Sequence, residues 1–391
     1  MLPAIEAAHS LDEPVHVITC DYLPDNIAHK YSDEYINVSI TDKEAVLAVA
    51  KEKNIDGILS FACDPGVVTA AYVAQKLGIP APAPYESAVI LQNKGLFRDF
   101  LANNGFNVPW HRNYETEEVA CEDLINIDFP AVVKPVDLSG SKGVTKVNNI
   151  EEYSLAVKNA FSQSRCKQII VEQYIEPKYR QSGSDSFVQN GKLVFATFDG
   201  QFYDLKSANP FTPSAMCYPS NMPEAQLAEL KTELQRLISL LQIDTTILNI
   251  ECRVGTDDKT YIMEVTPRAG GNRVPELVGM ATGQDIIRNS VLGALGLPMD
   301  EFSEPLYDGS YARVILHSYV SGNFEEISID SEIKDYLVEE DLFVDKGSLV
   351  GEFYGASDSL GLLIFKFPNI ELAEKYLKNI DSLVHVVVRE M

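Results

Sequence analysis

The chemistry in this sequence concentrates in four short stretches. Lys134 stands inside an apolar run, Pro-Ala-Val-Val-Lys-Pro at 130–135, where a bare ammonium is costly unless an anion meets it. That makes it a candidate phosphate ligand, although a lysine at a strand edge has the same pattern. Ser139, Gly140, Ser141, Lys142 and Gly143 follow. Small residues, hydroxyls and free backbone N–H groups form a loop able to close over phosphates, or an ordinary polar turn. Glu172, Gln173, Tyr174 and Ile175 end another apolar run. In that setting backbone groups pair with a purine edge while apolar side chains hold the ring; a plain edge strand is the alternative.

The fourth stretch is a pair of strands. Alternate residues share one strand face, so Asn249 and Glu251 project together, as do Glu264, Thr266 and Arg268. A tight loop at 255–259 brings Glu251 beside Glu264 if the register pairs them. Two carboxylates on a buried sheet face repel unless a divalent cation lies between them. Oxygen-only ligands suit Mg2+, which bridges nucleotide phosphates. Two solvent-facing acids on an acidic chain are the other reading. Arg268 then opens Arg-Ala-Gly-Gly-Asn-Arg, running through Gly271 and Asn272 to Arg273. An arginine fork and two glycines that admit close backbone approach make an anion clamp.

These side chains need rigid elements to hold them. Strands at 15–20, 35–40 and 56–61 alternate with helices at 43–53 and 67–77, which predicts βαβ units and a parallel sheet. The chain opens on the helix-like stretch 2–11 instead of a strand and a glycine-rich turn, so one strand of that sheet is expected to be missing. Asp64 follows strand 56–61, where open α/β sheets bind ligands, or it caps the next helix. The Pro-Ala-Pro-Ala-Pro connector at 80–84 marks a boundary. Beyond it the pattern predicts a helix over 87–103 that contains Asn93 and Lys94. Strands follow at 130–135 and 168–175, a hairpin at 188–197 turning on Asn190-Gly191, and a long helix at 223–241. The acidic strands occupy 247–254 and 261–266. The last ninety or so residues mix strands with a helix at 370–379.

Composition excludes several classes. The chain has 391 residues, 46% hydrophobic and 23% charged, close to ordinary globular proteins. It carries 57 acidic against 32 basic residues, net −25, which disfavours nucleic acid and anionic membrane surfaces as partners. No apolar run approaches the roughly 18 residues of a membrane span, and no signal peptide is visible. Six scattered cysteines without a CxxC pair read as reduced thiols of a cytoplasmic protein. Walker A, HExxH and GxSxG motifs are absent.

Taken in chain order, Asn93-Lys94, VVKP at 132–135, SGSKG at 139–143, VEQYI at 171–175, NIE at 249–251 and MEVTPRAGG at 263–271 resemble the ATP-grasp superfamily of carboxylate–amine ligases. The resemblance runs over nearly the whole chain. It implies an α/β fold, α+β in part: a truncated Rossmann-like N-terminal domain at 1–90, an ATP-grasp domain of two α+β subdomains at 91–300 with a mobile lid at about 114–175, and a small α/β module at 301–391. ATP and Mg2+ (or Mn2+) are the implied cofactors. Lys94 and Lys134 look like the cations on the nucleotide phosphates, Ser139 to Gly143 like the lid loop, and Glu172, Gln173 and Tyr174 like adenine contacts, with Ile175 as one wall. Glu251 and Glu264 look like the metal ligands. Thr266 occupies the place where the family pattern has asparagine, so its share in the metal site is the weaker inference. Arg268, with Gly271 and Asn272 beside it, looks like the arginine at the transferred phosphoryl group. Lys206 is similar to a lysine some members use on the terminal phosphate, and Asp185 or Glu176 stands where a ribose-binding acid is expected. The implied reaction is activation of a carboxylate for attack by an amine, both small molecules, in a protein whose relatives are often homodimers. Carboxyphosphate chemistry on bicarbonate is the alternative within the enzyme class. An ATP-binding scaffold without turnover is the alternative outside it.

Overall fold

The computed structural model describes residues 1–13 and 15–390. It opens on the helix Leu2–His9, after which strand Ile18–Asp21 pairs in parallel with Glu34–Asn37. Val46, Leu47 and Ala50 of helix Lys43–Lys53 pack against Val73 of helix Asp64–Leu77. Residues 56–61, expected as a third strand, have no ladder partner among the described residues. A strand is defined by the neighbour it bonds to, and with none alongside, this parallel sheet is two strands wide.

The helix expected over 87–103 is two helices, Tyr85–Gln92 and Lys94–Asn103. Asn93 separates them with φ −116° and ψ 111°, and its side chain accepts from the Leu96 N–H, as an N-cap does. The break sets Lys94 at the first position of a new helix, where the dipole favours anions.

Two antiparallel sheets carry the rest of the site. In the first, the strand order is His111–Tyr114, Ile169–Gln173, Ala131–Pro135, Thr145–Val147. Helix Ile150–Gln163 covers it because Tyr153, Ala156, Val157 and Ala160 recur at helical spacing and bury against Val133, Val147, Ile169 and Val171. In the second, the order is Thr260–Thr266, Thr246–Val254, Ser182–Gln189, Lys192–Phe195. Its outer hairpin turns at Asn190 and Gly191 with φ of 52° and 75°, the paired left-handed conformation that a two-residue turn requires. Helix Glu224–Leu241 lies against this sheet through Leu230, Leu234, Leu237 and Ile238.

The C-terminal strands extend a sheet that the middle of the chain begins. Ser310–Leu316, Gly361–Phe367 and Leu337–Leu342 add to Pro213–Tyr218 and Gly200–Tyr203, giving five strands in one sheet. No described helix is long and apolar enough to cross a membrane, and all six cysteines are free. Leu234 is fully buried between the long helix and the second sheet, so Leu234→Ala is expected to lower the unfolding free energy by about 2–5 kcal/mol. Denaturant titration checks this; an unchanged midpoint would mean that the helix is not part of the central core.

Candidate functional site

A cavity of about 1100 Å³ opens between the two sheets, walled by Lys134, Glu172 and Tyr174 on one side and Asn249, Glu251 and Glu264 on the other. The antiparallel register places Glu251 directly across from Glu264, a pairing in which Cβ atoms sit about 4.5–5.5 Å apart. Lys94 brings its ammonium to 2.8 Å from Glu264 Oε2. Burial pulls Lys94 down, but Glu264 and Glu251 overcome it and hold the ammonium above its ordinary range. Glu251 makes no ion pair among the described residues. Burial first, and then the Glu264 charge, push it up to about 7.

Two facing carboxylates, one of them without a cation partner, are a donor set that fits a divalent metal. No group of three or more His, Cys, Asp or Glu side chains gathers anywhere among the described residues. Water and phosphate oxygens would therefore complete the coordination, as Mg2+ prefers.

Lys134 is held by Glu172, which is 2% exposed and also accepts from Arg98 Nε at 2.8 Å. Burial pushes the Glu172 carboxyl up; Arg98 and then Lys134 outweigh it and bring it down to about 2. This overturns the expectation that Glu172 meets adenine, because both its oxygens are claimed by cations. The Tyr174 N–H is likewise taken by the Pro130 carbonyl at 3.0 Å and the Ile175 carbonyl by Arg253 Nη1 at 2.6 Å. What remains for a purine is the Tyr174 carbonyl, the ring beneath the Lys146 ammonium (3.7 Å to its centroid), the Ile175 side chain and the exposed Gln173, all on the cavity wall.

The loop through Ser139, Gly140, Ser141 and Gly143 also borders the cavity. Gly140, Ser141 and Gly143 all have positive φ, of 67°, 60° and 71°. Gly143 has a second constraint, since a Cβ there would meet Pro135 at 2.9 Å. Ser141 Oγ donates to the Phe211 carbonyl at 2.9 Å, and Asn209 Nδ2 donates to both the Ser141 and Tyr354 carbonyls at 3.0 and 2.9 Å. The loop is thus tied to residues 209–211 and to the C-terminal segment.

Arg268 lies on the wall with its Nε and Nη2 on the two oxygens of Asp64 at 2.8 and 2.9 Å. Beyond it, the Gly270 N–H donates to both oxygens of Asp185, which also accepts from Asn249 Nδ2 at 2.9 Å. Gly271 borders the cavity with open space where a Cβ would stand. Asn272 Nδ2 donates to the Ala356 carbonyl at 3.1 Å.

Four expectations fail on geometry. Asp185 is fully buried beneath Gly270 and off the cavity wall; it braces the Gly270–Gly271 turn instead of meeting a ribose. Glu176, the other candidate, is exposed and off the wall as well. Thr266 pairs with Asn249 and is buried, and it is off the cavity wall; the Asn249 N–H bonds the Arg268 carbonyl just beyond it. Lys206 points to solvent and pairs with Asp381, and Arg273 is engaged by Glu276, Glu339 and Asp341. Three arginines were missed. Arg98 is four residues from Lys94, the spacing that shares a helix face. Arg253 is two residues from Glu251 on the same strand face. Arg313 carries the cue that found Lys134, a lone cation in an apolar strand.

Residues 127–276 match the family model described as ATP-grasp domain. The carbamoyl phosphate synthase large chain of Thermoanaerobacter sp. (strain X514) is 26% identical over 309 residues, 77% of this chain and 28% of the relative. The chain spans about a quarter to about half of the length of the curated relatives it matches. Among solved structures, the L-amino acid ligase from Bacillus licheniformis superimposes with a TM-score of 0.81 at 22% identity, covering 99% of this chain and 95% of that one. Phosphoribosylglycinamide synthetase from Anaerococcus prevotii does so with a TM-score of 0.74 at 21% identity, covering 100% and 97%.

The Glu251 shift fixes a pH dependence. A carboxyl raised from 4.5 to about 7 in the folded chain binds a proton that the unfolded chain has lost between those values. Its stabilisation is therefore lost as pH rises toward 7. A metal needs the carboxylate, so MgADP binding is expected to release a proton near pH 6.5 and to weaken as pH falls. Calorimetry in buffers of different ionisation enthalpy checks this. Equal heats in all buffers, or the same proton release in Glu251→Gln, would contradict it.

Proposed function

With an ATP-grasp domain at 127–276 and the ATP-grasp fold over the whole chain, we propose that this protein is a MgATP-dependent ligase. It activates a small carboxylate as an acyl phosphate and joins it to an amine. The observation that carries this reading is the Glu251–Glu264 pair facing Lys94, with Lys134 and Arg268 on the same cavity wall.

Glu251 and Glu264 would hold Mg2+, which neutralises phosphate charge as the phosphoryl group moves. Lys94 and Lys134 meet the nucleotide phosphates. Tyr174, Ile175 and Gln173 frame the base. Arg268 offsets the charge that gathers on the transferred group, since preorganised donors in a water-poor site act without reorganising. The substrate carboxylate attacks the γ-phosphorus, ADP leaves, and the amine then attacks the acyl carbon and expels phosphate. The loop from Ser139 to Gly143, tied down by Asn209 and Phe211, keeps water from the acyl phosphate. In this division of labour residues 1–90 and 301–391 close the cavity that 91–300 furnishes. A cytoplasmic homodimer is the setting we propose.

The test is a phosphate-release screen of paired carboxylates and amines with MgATP, with Glu264→Gln as control. A productive pair is expected to release ADP and phosphate together, and Glu264→Gln to lower that rate by roughly 100-fold or more. ADP release driven by bicarbonate alone would replace the reading with carboxyphosphate chemistry. Nucleotide binding without release from any pair would replace it with a non-catalytic scaffold.

A further inference from the structure

The geometry points to Asp64 as the residue that positions Arg268 for the γ-phosphoryl group, an inference that rests on the role proposed for Arg268 above. Asp64 is the first residue of helix Asp64–Leu77, preceded by Cys63 and followed by Pro65. Its carboxylate does not serve that helix as a cap. It reaches across 204 positions of sequence to Arg268, meeting Nε at 2.8 Å and Nη2 at 2.9 Å. Burial pushes the Asp64 carboxyl up, but Arg268 outweighs it, with help from Lys94 and the Ser139 hydroxyl, and holds it below the usual carboxylate range.

The donor count on the guanidinium shows why this pair positions the arginine and does not occlude it. An arginine has five N–H donors in a planar fork. Asp64 takes the side-on pair, Nε–H and one Nη2–H, and the Ala269 carbonyl takes one Nη1–H at 2.8 Å. One N–H on each terminal nitrogen is left without an acceptor among the described residues, and Arg268 lines the cavity. Two N–H groups from one guanidinium can meet two oxygens of one phosphoryl group. Free rotation of the long arginine side chain would dissipate this match; a bidentate carboxylate prevents it. The carboxylate comes from the N-terminal segment, and the Ser139 hydroxyl beside it comes from the loop over the cavity. Asp64 therefore ties the N-terminal segment to the arginine on the cavity wall.

The test compares two nucleotide probes that differ by the terminal phosphoryl group, Mg–β,γ-imido-ATP and MgADP, bound to the full chain and followed by calorimetry. Asp64→Asn keeps the size and removes the charge. It is expected to weaken Mg–β,γ-imido-ATP roughly tenfold while MgADP changes by less than about twofold. Asp64→Glu is expected to recover part of the loss. Once a substrate pair is known, Asp64→Asn is expected to lower kcat with the KM for ATP little changed. Unaltered discrimination between the probes in Asp64→Asn, or tighter binding of the imido analogue, would overturn the proposal; the latter result would mean that Asp64 competes for Arg268. Equal weakening of both probes, with a matching fall in Tm in Asp64→Glu as well, would reduce Asp64 to a structural ion pair. Arg268→Ala separates the two levels. If it leaves discrimination intact, the role of Arg268 fails. If it abolishes discrimination and Asp64→Asn does not, only the role of Asp64 fails.

Discussion

Two carboxylates held face to face set the terms for everything around them. The ladder between Thr246–Val254 and Thr260–Thr266 sets Glu251 opposite Glu264, with Met263 bulged out of the pairing beside them. Like charges at such a distance repel by about 1 kcal/mol in water and by several times that where water is scarce. The fold answers with Lys94 on Glu264 and leaves Glu251 unanswered. A site that keeps one half-buried carboxylate without an ion-pair partner is suited to something that arrives with positive charge. A divalent cation carrying phosphates is the arrangement that satisfies both sides.

The cations nearby are arranged by the same logic. Arg98 and Lys134 share Glu172, and Arg268 lies side-on to Asp64. Each pair neutralises charge locally, which is what allows these groups to be buried at all. It also holds the long side chains in one rotamer. In the reading proposed above these acids orient cations, whereas Glu251 and Glu264 would hold the metal. Chain topology adds the second requirement. Asp64 comes from the N-terminal segment, Asn209 from the loop preceding Pro213–Tyr218, and the Tyr354 carbonyl from the C-terminal segment. The cavity is thus assembled from parts far apart in sequence, and none of them forms it alone.

Much of this was legible in the sequence where a local rule governs the outcome. Asn190-Gly191 announced its hairpin, the amphipathic run over 223–241 announced the long helix, and alternation on two short strands announced the acid pair. Legibility ended where a tertiary contact decides. Nothing local shows that residues 56–61 have no ladder partner, or that Asn93 ends one helix and caps the next. Nor does anything local show that Thr266 is buried off the cavity wall. Asp185 stands near the place where the resemblance expects a ribose-binding acid, yet its partners are an N–H 85 residues away and the Asn249 amide on the adjacent strand. The resemblance likewise puts Glu172 at adenine, and no local signal shows that Arg98 and Lys134 take both its oxygens.

The net charge of −25 acquires a more specific meaning in this setting. An acidic chain attracts a polyphosphate poorly at long range, so a nucleotide is best received with its metal. The acid pair is where that metal would sit. The most direct test is electron paramagnetic resonance of Mn2+ titrated with ADP into the wild-type chain and into the Glu251→Gln/Glu264→Gln double variant. The expected result is a protein-bound Mn2+ signal in the wild type that the double variant lacks. An undiminished bound signal in the double variant would contradict the assignment of these two carboxylates as the seat of the metal.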